Sequence, residues 1–246
     1  MGLKQAYNLV YEKIIWGIPC RIFDSLYITA NILSVLRTAL ILPIYYYIFV
    51  VPEPQFRTAF WIFLAAIIAD SGDGVLSRYL EEKYITKGKP IKKLWLKLQQ
   101  LPYVGWLFHV GVSNNGKLID ATFDKLTIIP LFYFFYLDYQ MLTRIMGVAL
   151  THLEVISFCL GMMKYYAEKN HPVQIQNSGS SFWGKAKMVT ECVAISFILC
   201  YTPFNPHTML AAQILIILAL PLALLSVKGH FSAITSSPFQ GEVRVR

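Results

Sequence analysis

The sequence predicts an all-α integral membrane protein, and two observations support this prediction. Hydrophobic residues make up 56% of the 246-residue chain and charged residues 15%, with a mean hydropathy of +0.49, whereas soluble domains contain more charge and less apolar surface. Six apolar stretches also approach the ~20 residues that a helix needs to cross ~30 Å of hydrocarbon. Because little chain remains outside them, we expect one membrane domain over residues 26–228.

Residues 1–25 precede the first apolar stretch and have the pattern of an amphipathic helix. Apolar side chains recur at spacings of three and four from Leu3 to Ile18, while Lys4, Glu12 and Lys13 take the opposite face. This pattern predicts an N-terminal helix that lies in the membrane interface.

Six transmembrane helices are expected after this segment, of which the fifth is the shortest. Their predicted bounds are Ile28–Val51, Phe56–Ser77, Lys117–Leu137, Met141–Met163, Met188–Tyr201 and Thr208–Val227.

Basic residues are concentrated in alternate connections, which predicts the topology. Residues 79–115, 164–187 and the tail 229–246 are basic, whereas the intervening short loops contain no Lys or Arg. The positive-inside rule therefore places both termini and the basic segments in the cytoplasm. The net charge of +8 is then a consequence of topology, and we expect no nucleic-acid partner.

The loop 79–115 has a pattern of its own. Apolar residues from Ile91 to Leu101 alternate with lysines before Pro102, which predicts a second interfacial helix.

Four aspartates lie at the ends of the second and third predicted spans. Asp70 and Asp73, like Asp120 and Asp124, are spaced three or four apart, so each pair shares one helix face. Acids are costly near a membrane, by ~2.5–3.5 kcal/mol at a span centre, and several together repel one another. Bound Mg²⁺ or Mn²⁺ removes both difficulties and predicts a diphosphate substrate.

Glycines are interleaved with these acids. Gly72, Gly74 and Gly116 carry no side chain, so we expect a ligand to approach the helix backbone closely at these positions.

This pattern resembles the signature of the CDP-alcohol phosphatidyltransferases, D-x2-D-G-x2-A-R-x8-G-x3-D-x3-D. The chain supplies every fixed position in order except one, because Ser77 replaces Ala, and residues 79–115 replace the eight-residue spacer. The role of that insertion is open. The matching residues are Asp70, Asp73, Gly74, Arg78, Gly116, Asp120 and Asp124.

Further likeness points to the phosphatidylglycerophosphate synthase branch of that family. The stretch from Asn31 to Arg37 resembles N-x-L-T-x-x-R, Asp124 begins a D-K-L, and Trp183 precedes G-K-x-K. The stretch that begins at Glu154 resembles the end of the branch's R-E-I, but Leu153 replaces the Arg. Likewise Met188 replaces the Thr that ends the branch's G-K-x-K-T.

The resemblance implies roles for individual residues. Asp70, Asp73, Asp120 and Asp124 would bind Mg²⁺ or Mn²⁺, and Asp124 would also be the catalytic base. Nucleotide binding would fall to Gly74, Arg78 and Gly116, and acceptor binding to Arg37, Lys125, Lys185 and Lys187. The substrates would be CDP-diacylglycerol and a small alcohol, and the family commonly forms homodimers.

The acceptor remains open at this point. Our first choice is sn-glycerol 3-phosphate, with inositol, inositol phosphate, serine or phosphatidylglycerol as alternatives in the same family. A membrane prenyltransferase also holds Mg²⁺-diphosphate with aspartates, but it lacks the continuation from Asp73 to Arg78. A divalent-cation carrier would need polar residues along a full transmembrane path, whereas these acids lie at one face.

Overall fold

A computed structural model describes residues 15–111, 122, 125–131, 141–170, 182–200 and 206–235. This part of the chain is helical and contains no strand. It divides into two compact units, Met1–Asp120 and Ala121–Arg246.

Unit 1 contains five α-helices with short π and 3₁₀ segments among its described residues. The α-helices are α1 (Gly17–Ser25), α2 (Ala30–Ala39), α3 (Ile41–Tyr45), α4 (Phe56–Leu80) and α5 (Lys93–Gln99). A π-helical segment, Tyr46–Val50, continues α3, a second one, Glu81–Thr86, continues α4, and a 3₁₀ turn covers Gly105–Phe108.

Unit 2 contains four described helices, in which one long helix packs on two others. These are α6 (residues 125–131), α7 (Met141–Asn170), α8 (Phe182–Cys200) and α9 (Pro206–Thr235). α9 packs against both α7 and α8. Ala212, Ala219 and Ala223 of α9 are buried, and such small side chains let neighbouring backbones come close together.

Four helices of the described part are long and apolar enough to cross a membrane. They are Ala30–Val50, Phe56–Thr86, Arg144–Met163 and Leu210–Gly229, which confirms helices at the first, second, fourth and sixth predicted spans. The third predicted span lies largely outside the described residues. The fifth corresponds to α8, which carries Lys185, Lys187 and Glu191 near its beginning.

Several helices are longer than the sequence predicts. α4 continues past Ser77 and its π-helical extension ends at Thr86, so the first residues of the predicted loop 79–115 are helical. Gly88 follows with φ +62°, a backbone conformation that a helix does not contain. Likewise α9 reaches Thr235, so the predicted tail 229–246 begins as helix.

The predicted N-terminal helix is described from residue 15 onward. α1 begins at Gly17, and its Ile18 and Ile22 are exposed while Cys20 and Asp24 are buried. Residues 1–14, which carry most of the predicted amphipathic pattern, lie outside the described part, so the interfacial helix stays a prediction.

The insertion contributes to the core of unit 1. Trp95 of α5 is fully buried, and its ring meets Tyr27 and Tyr84 edge-on at centroid distances of 6.1 and 5.3 Å. The helix predicted before Pro102 is therefore present, and it packs against protein through Trp95. The core cluster that contains Trp95 consists of Trp16, Cys20, Leu33, Val75, Leu76, Leu80, Tyr84, Trp95 and Val110.

Candidate active site

The N-terminus of α2 is held in place by residues of the insertion. Thr29 caps α2 by accepting a hydrogen bond from the Ile32 amide, and its hydroxyl donates to the Leu107 carbonyl. The Asn31 side-chain amide donates to the Trp106 carbonyl at 2.7 Å. α2 is thus fixed at its first turn by side-chain contacts with the segment 105–108.

The turn before α2 is strained, and the insertion also contacts it. Tyr27 adopts φ +60°, a conformation that a residue with a bulky side chain seldom takes. The Trp95 indole Nε1 donates to the Tyr27 carbonyl at 3.1 Å, and Lys92 Nζ lies 4.4 Å from the centre of the Tyr27 ring. These contacts stabilise the turn that aims α2 at α4.

α2 and α4 bring two cation-site candidates together with two polar side chains. Arg37 on α2 forms an ion pair with Asp70 on α4. One turn earlier on α2, the Ser34 hydroxyl donates to Oδ2 of Asp73, which lies one turn later on α4, at 2.7 Å. The two helices pack against each other. The two residues on each helix are three apart and share one helix face, so both contacts lie on the same side of the interface between α2 and α4.

Arg37 is buried within the protein. Its side chain is 7% exposed, while that of Asp70 is 26% exposed, and Asp73 is likewise partly exposed. The aspartates therefore keep an open side. A positive charge lies against Asp70, which lowers the cost of an acid at this depth.

Gly74 and Gly72 have different surroundings on α4. A methyl group added at Gly74 would meet Arg78 Nη1 at 3.7 Å, which is ordinary contact, and otherwise open space. At Gly72 it would lie 2.5 Å from the Trp16 ring, too close for any real contact. Gly74 therefore has room for a ligand beside Arg78. The expectation for Gly72 is wrong, because its missing side chain admits Trp16 of the core.

The donor set on α4 fits a divalent cation. Asp70 and Asp73 supply hard carboxylate oxygens from one helix face and are partly exposed, which suits Mg²⁺ or Mn²⁺. Within the described ranges, no group of three or more His, Cys, Asp or Glu side chains forms a complete site. Asp120, Asp124 and Gly116 lie outside the described residues.

Unit 2 contains a separate cluster of buried charges. Lys125 of α6 and Lys187 of α8 each form an ion pair with Glu154 of α7, whose side chain is fully buried. Glu191, one turn after Lys187, is also fully buried, and neither of its carboxylate oxygens has a hydrogen-bond partner among the described residues. Two of the predicted acceptor lysines are thus brought together by Glu154, whereas Lys185 is exposed.

Sequence reasoning missed two of these features. Ser34 stands at the Thr position of the N-x-L-T-x-x-R stretch, so its contact with Asp73 had a signal in the motif. The second, centred on Asp24 in α1, had no motif. Asp24 is buried and bonds to Lys83, to Tyr84 at 2.8 Å and to Lys92 at 3.3 Å.

The surroundings of Asp24 shift its pKa. Burial alone would raise the pKa of this carboxyl, but the hydrogen bonds from Lys83 and Tyr84 outweigh burial and hold the pKa below its usual value. Asp24 therefore stays ionised and ties α1 to the end of α4 and to the insertion.

These features define a helical membrane protein with an acidic site suited to divalent cations. A family model described as CDP-alcohol phosphatidyltransferase matches residues 27–83 and 109–225, more than half of the chain. The chain belongs to this family and is an enzyme of this class. A search of curated proteins and a search of solved structures give no significant match.

The interval between the two matched segments locates the insertion more closely than the signature does. Residues 84–108 are unmatched, and they include α5, Trp95 and the carbonyls of Trp106 and Leu107 that contact α2. The segment that holds the N-terminus of α2 is therefore an addition to the family pattern.

Proposed function

We propose that the protein transfers a phosphatidyl group from CDP-diacylglycerol to sn-glycerol 3-phosphate, which yields phosphatidylglycerophosphate and CMP. The observation that carries the proposal is the pair Asp70 and Asp73, partly exposed on α4 beside Gly74 and inside the family match. Enzymes of this family act on CDP-activated alcohols, and a diphosphate is the substrate that such a carboxylate site suits.

In this proposal, four aspartates hold Mg²⁺ or Mn²⁺, the kind of ion that the family uses. Asp70 and Asp73 would bind it together with Asp120 and Asp124, and the bound ion supplies positive charge opposite the diphosphate and the departing CMP. Asp124 has a second role as the catalytic base.

The chain's own residues carry the proton and orient the substrates. Asp124 accepts the proton of the acceptor hydroxyl, whose oxygen attacks the phosphorus that bears the diacylglycerol, and CMP leaves. Gly74, Gly116 and Arg78 bind the cytidine nucleotide. The open space at Gly74 next to Arg78 supports this role.

The acceptor phosphate is bound by cationic side chains. Lys125, Lys185 and Lys187 supply charge in unit 2, and Arg37 supplies it in unit 1. Glu154 already draws Lys125 and Lys187 to one point, so it positions both ammonium groups for an anion. The branch assignment rests on these lysines and on the D-K-L stretch that begins at Asp124.

The proposal includes a membrane arrangement. Six spans cross the bilayer, with α8 and the segment 117–137 added to the four helices that meet the length and hydropathy of a span. The acidic site faces the cytoplasm because the basic segments lie on its side. The protein acts as a homodimer.

An acceptor panel with CMP release as the readout tests the proposal. Purified protein with Mn²⁺ and CDP-diacylglycerol should release CMP when sn-glycerol 3-phosphate is added. If CMP is released with inositol, inositol phosphate, serine or phosphatidylglycerol instead, the proposed acceptor is wrong but the proposed type of reaction stands. If every acceptor is inert while a prenyl diphosphate is consumed, the proposed reaction is wrong.

A further inference from the structure

A pocket lies in unit 1, away from Asp70 and Asp73 of α4. Its volume is about 440 Å³, and it lies between α1 and the segment that follows α4. The charged side chains that line it are Arg21, Asp24, Glu82, Lys83, Lys87 and Lys89. Lys83 follows Asp73 by ten residues of helix, a distance of about 15 Å along the axis.

Both acids of this pocket are neutralised by lysines of the same pocket. Asp24 pairs with Lys83, and Glu82 pairs with Lys87 at 2.6 Å. Arg21 and Lys89 are exposed and form no ion pair within the described part of the chain. The pocket therefore has two uncompensated positive charges, and it is complementary to an anion.

The length of α4 and its extension allows this pocket to lie among lipid headgroups. α4 and its π-helical extension cover Phe56–Thr86, 31 residues, or about 46 Å at the rise of an α-helix. Because the hydrocarbon core is only ~30 Å thick, the last residues of this helix extend beyond it. Lys83 lies three residues from the end of this helix, so it can reach a lipid phosphate.

Apolar side chains of α1 lie beside the cationic residues. Ile18 and Ile22 are 68% and 50% exposed, and Arg21 lies between them in the sequence. Ile18 and Ile22 are four residues apart and therefore lie on one helix face. An acyl chain can lie along this face while its headgroup enters the pocket.

We propose that this pocket binds an anionic phospholipid at a site separate from the acids that carry the reaction. The guanidinium of Arg21 and the ammonium of Lys89 donate hydrogen bonds to the headgroup phosphate, and Ile18 and Ile22 contact an acyl chain. Because α1 and residues 84–108 also contact Tyr27 and the first turn of α2, the lipid bridges two segments that set the position of that helix.

Native mass spectrometry of the purified full chain tests this proposal without any substrate. Phosphatidic acid and phosphatidylcholine with equal acyl chains are titrated against wild-type protein, Arg21→Ala/Lys89→Ala, and the control Lys93→Ala/Lys97→Ala. Lys93 and Lys97 are exposed lysines of α5 outside the pocket, so both double variants lose the same charge. Arg21→Lys/Lys89→Arg keeps the pocket charge and should bind as wild type does.

The pocket variant should bind phosphatidic acid about tenfold more weakly than wild type and the control variant, because two cations near the phosphate are lost. Phosphatidylcholine should bind equally weakly to all. Equal loss in both double variants, or no loss in either, would overturn the site. Displacement of phosphatidic acid by an equal concentration of inorganic phosphate would overturn the assignment to a lipid. None of these binding measurements depends on the proposed reaction.

Discussion

Unit 1 and unit 2 each place acids in apolar helices, but they leave them in different states. In unit 1, Asp70 and Asp73 are partly exposed, with Arg37 and Ser34 against them from one side. In unit 2, Glu154 is fully buried, and both of its oxygens are paired with lysines. The first arrangement leaves carboxylate oxygens open to a ligand, and the second uses them within the protein.

The contrast distinguishes two roles that an acidic residue can have in an apolar helix. A buried acid paired with lysines fixes neighbouring helices, because removing one partner leaves a buried charge uncompensated. An acid that is incompletely covered keeps part of that cost until a cation binds. This difference supports the proposal that Asp70 and Asp73 take part in the reaction, while Glu154 positions Lys125 and Lys187.

The largest expected effect is on turnover, from Asp73→Asn. Loss of this carboxylate should lower CMP release about a thousandfold, because the charge that it helps to hold stabilises the transition state by several kcal/mol. The melting temperature should change little, since Asp73 is partly exposed. Activity within tenfold of wild type would remove Asp73 from the site.

The next effect is on stability, from Glu154→Gln. The buried Lys187 and the partly buried Lys125 lose their partner, so the free energy of unfolding should fall by about 3–5 kcal/mol. Thermal unfolding in detergent measures it. Glu53→Gln, at an exposed loop position, is the matched control and should have almost no effect. Equal stability of the two variants would contradict the structural role of Glu154.

Trp95→Ala tests whether the insertion holds unit 1 together. A fully buried Trp is lost, and such a change costs about 3–5 kcal/mol. The control is Trp61→Ala, because Trp61 is 60% exposed and contributes less to packing. Thermal unfolding in detergent measures both variants. If the melting temperature of Trp95→Ala is no lower than that of Trp61→Ala, the insertion is not part of the core.

How much of this molecule follows from sequence differs between its parts. The spacing of Asp70, Asp73, Gly74 and Arg78 predicts the helix face they share, because that face depends on local periodicity alone. The role of Gly72 does not follow, since its neighbour Trp16 immediately precedes α1 and is distant in the chain. The three partners of Asp24 are likewise distant in the chain, and no local pattern identifies such contacts.

The two glycines of α4 permit a smaller and more selective comparison. Gly72→Ala should lower stability by about 1–3 kcal/mol, because the new methyl group overlaps the Trp16 ring. Gly74→Ala should leave stability unchanged or slightly higher and should raise KM for CDP-diacylglycerol. The reverse assignment of the two effects would mean that Gly72, and not Gly74, borders the nucleotide.

The smallest effect concerns pH and Asp24. Because the folded-state pKa of Asp24 is lowered, its contribution to stability is complete above the unfolded value near ~4 and is lost as pH falls through the folded pKa. Asp24→Asn should thus cost about 1 kcal/mol or more at neutral pH. The difference from wild type should shrink below about pH 4. A difference that stays constant well below about pH 4 would contradict the pairing.

Binding of Mn²⁺, measured by titration calorimetry on the purified full chain, tests most directly whether the open acids of unit 1 are the cation site. We expect Mn²⁺ to bind wild-type protein and Glu154→Gln alike and to bind Asp73→Asn at least tenfold more weakly. Unchanged binding by Asp73→Asn, or an equal loss in Glu154→Gln, would contradict the account.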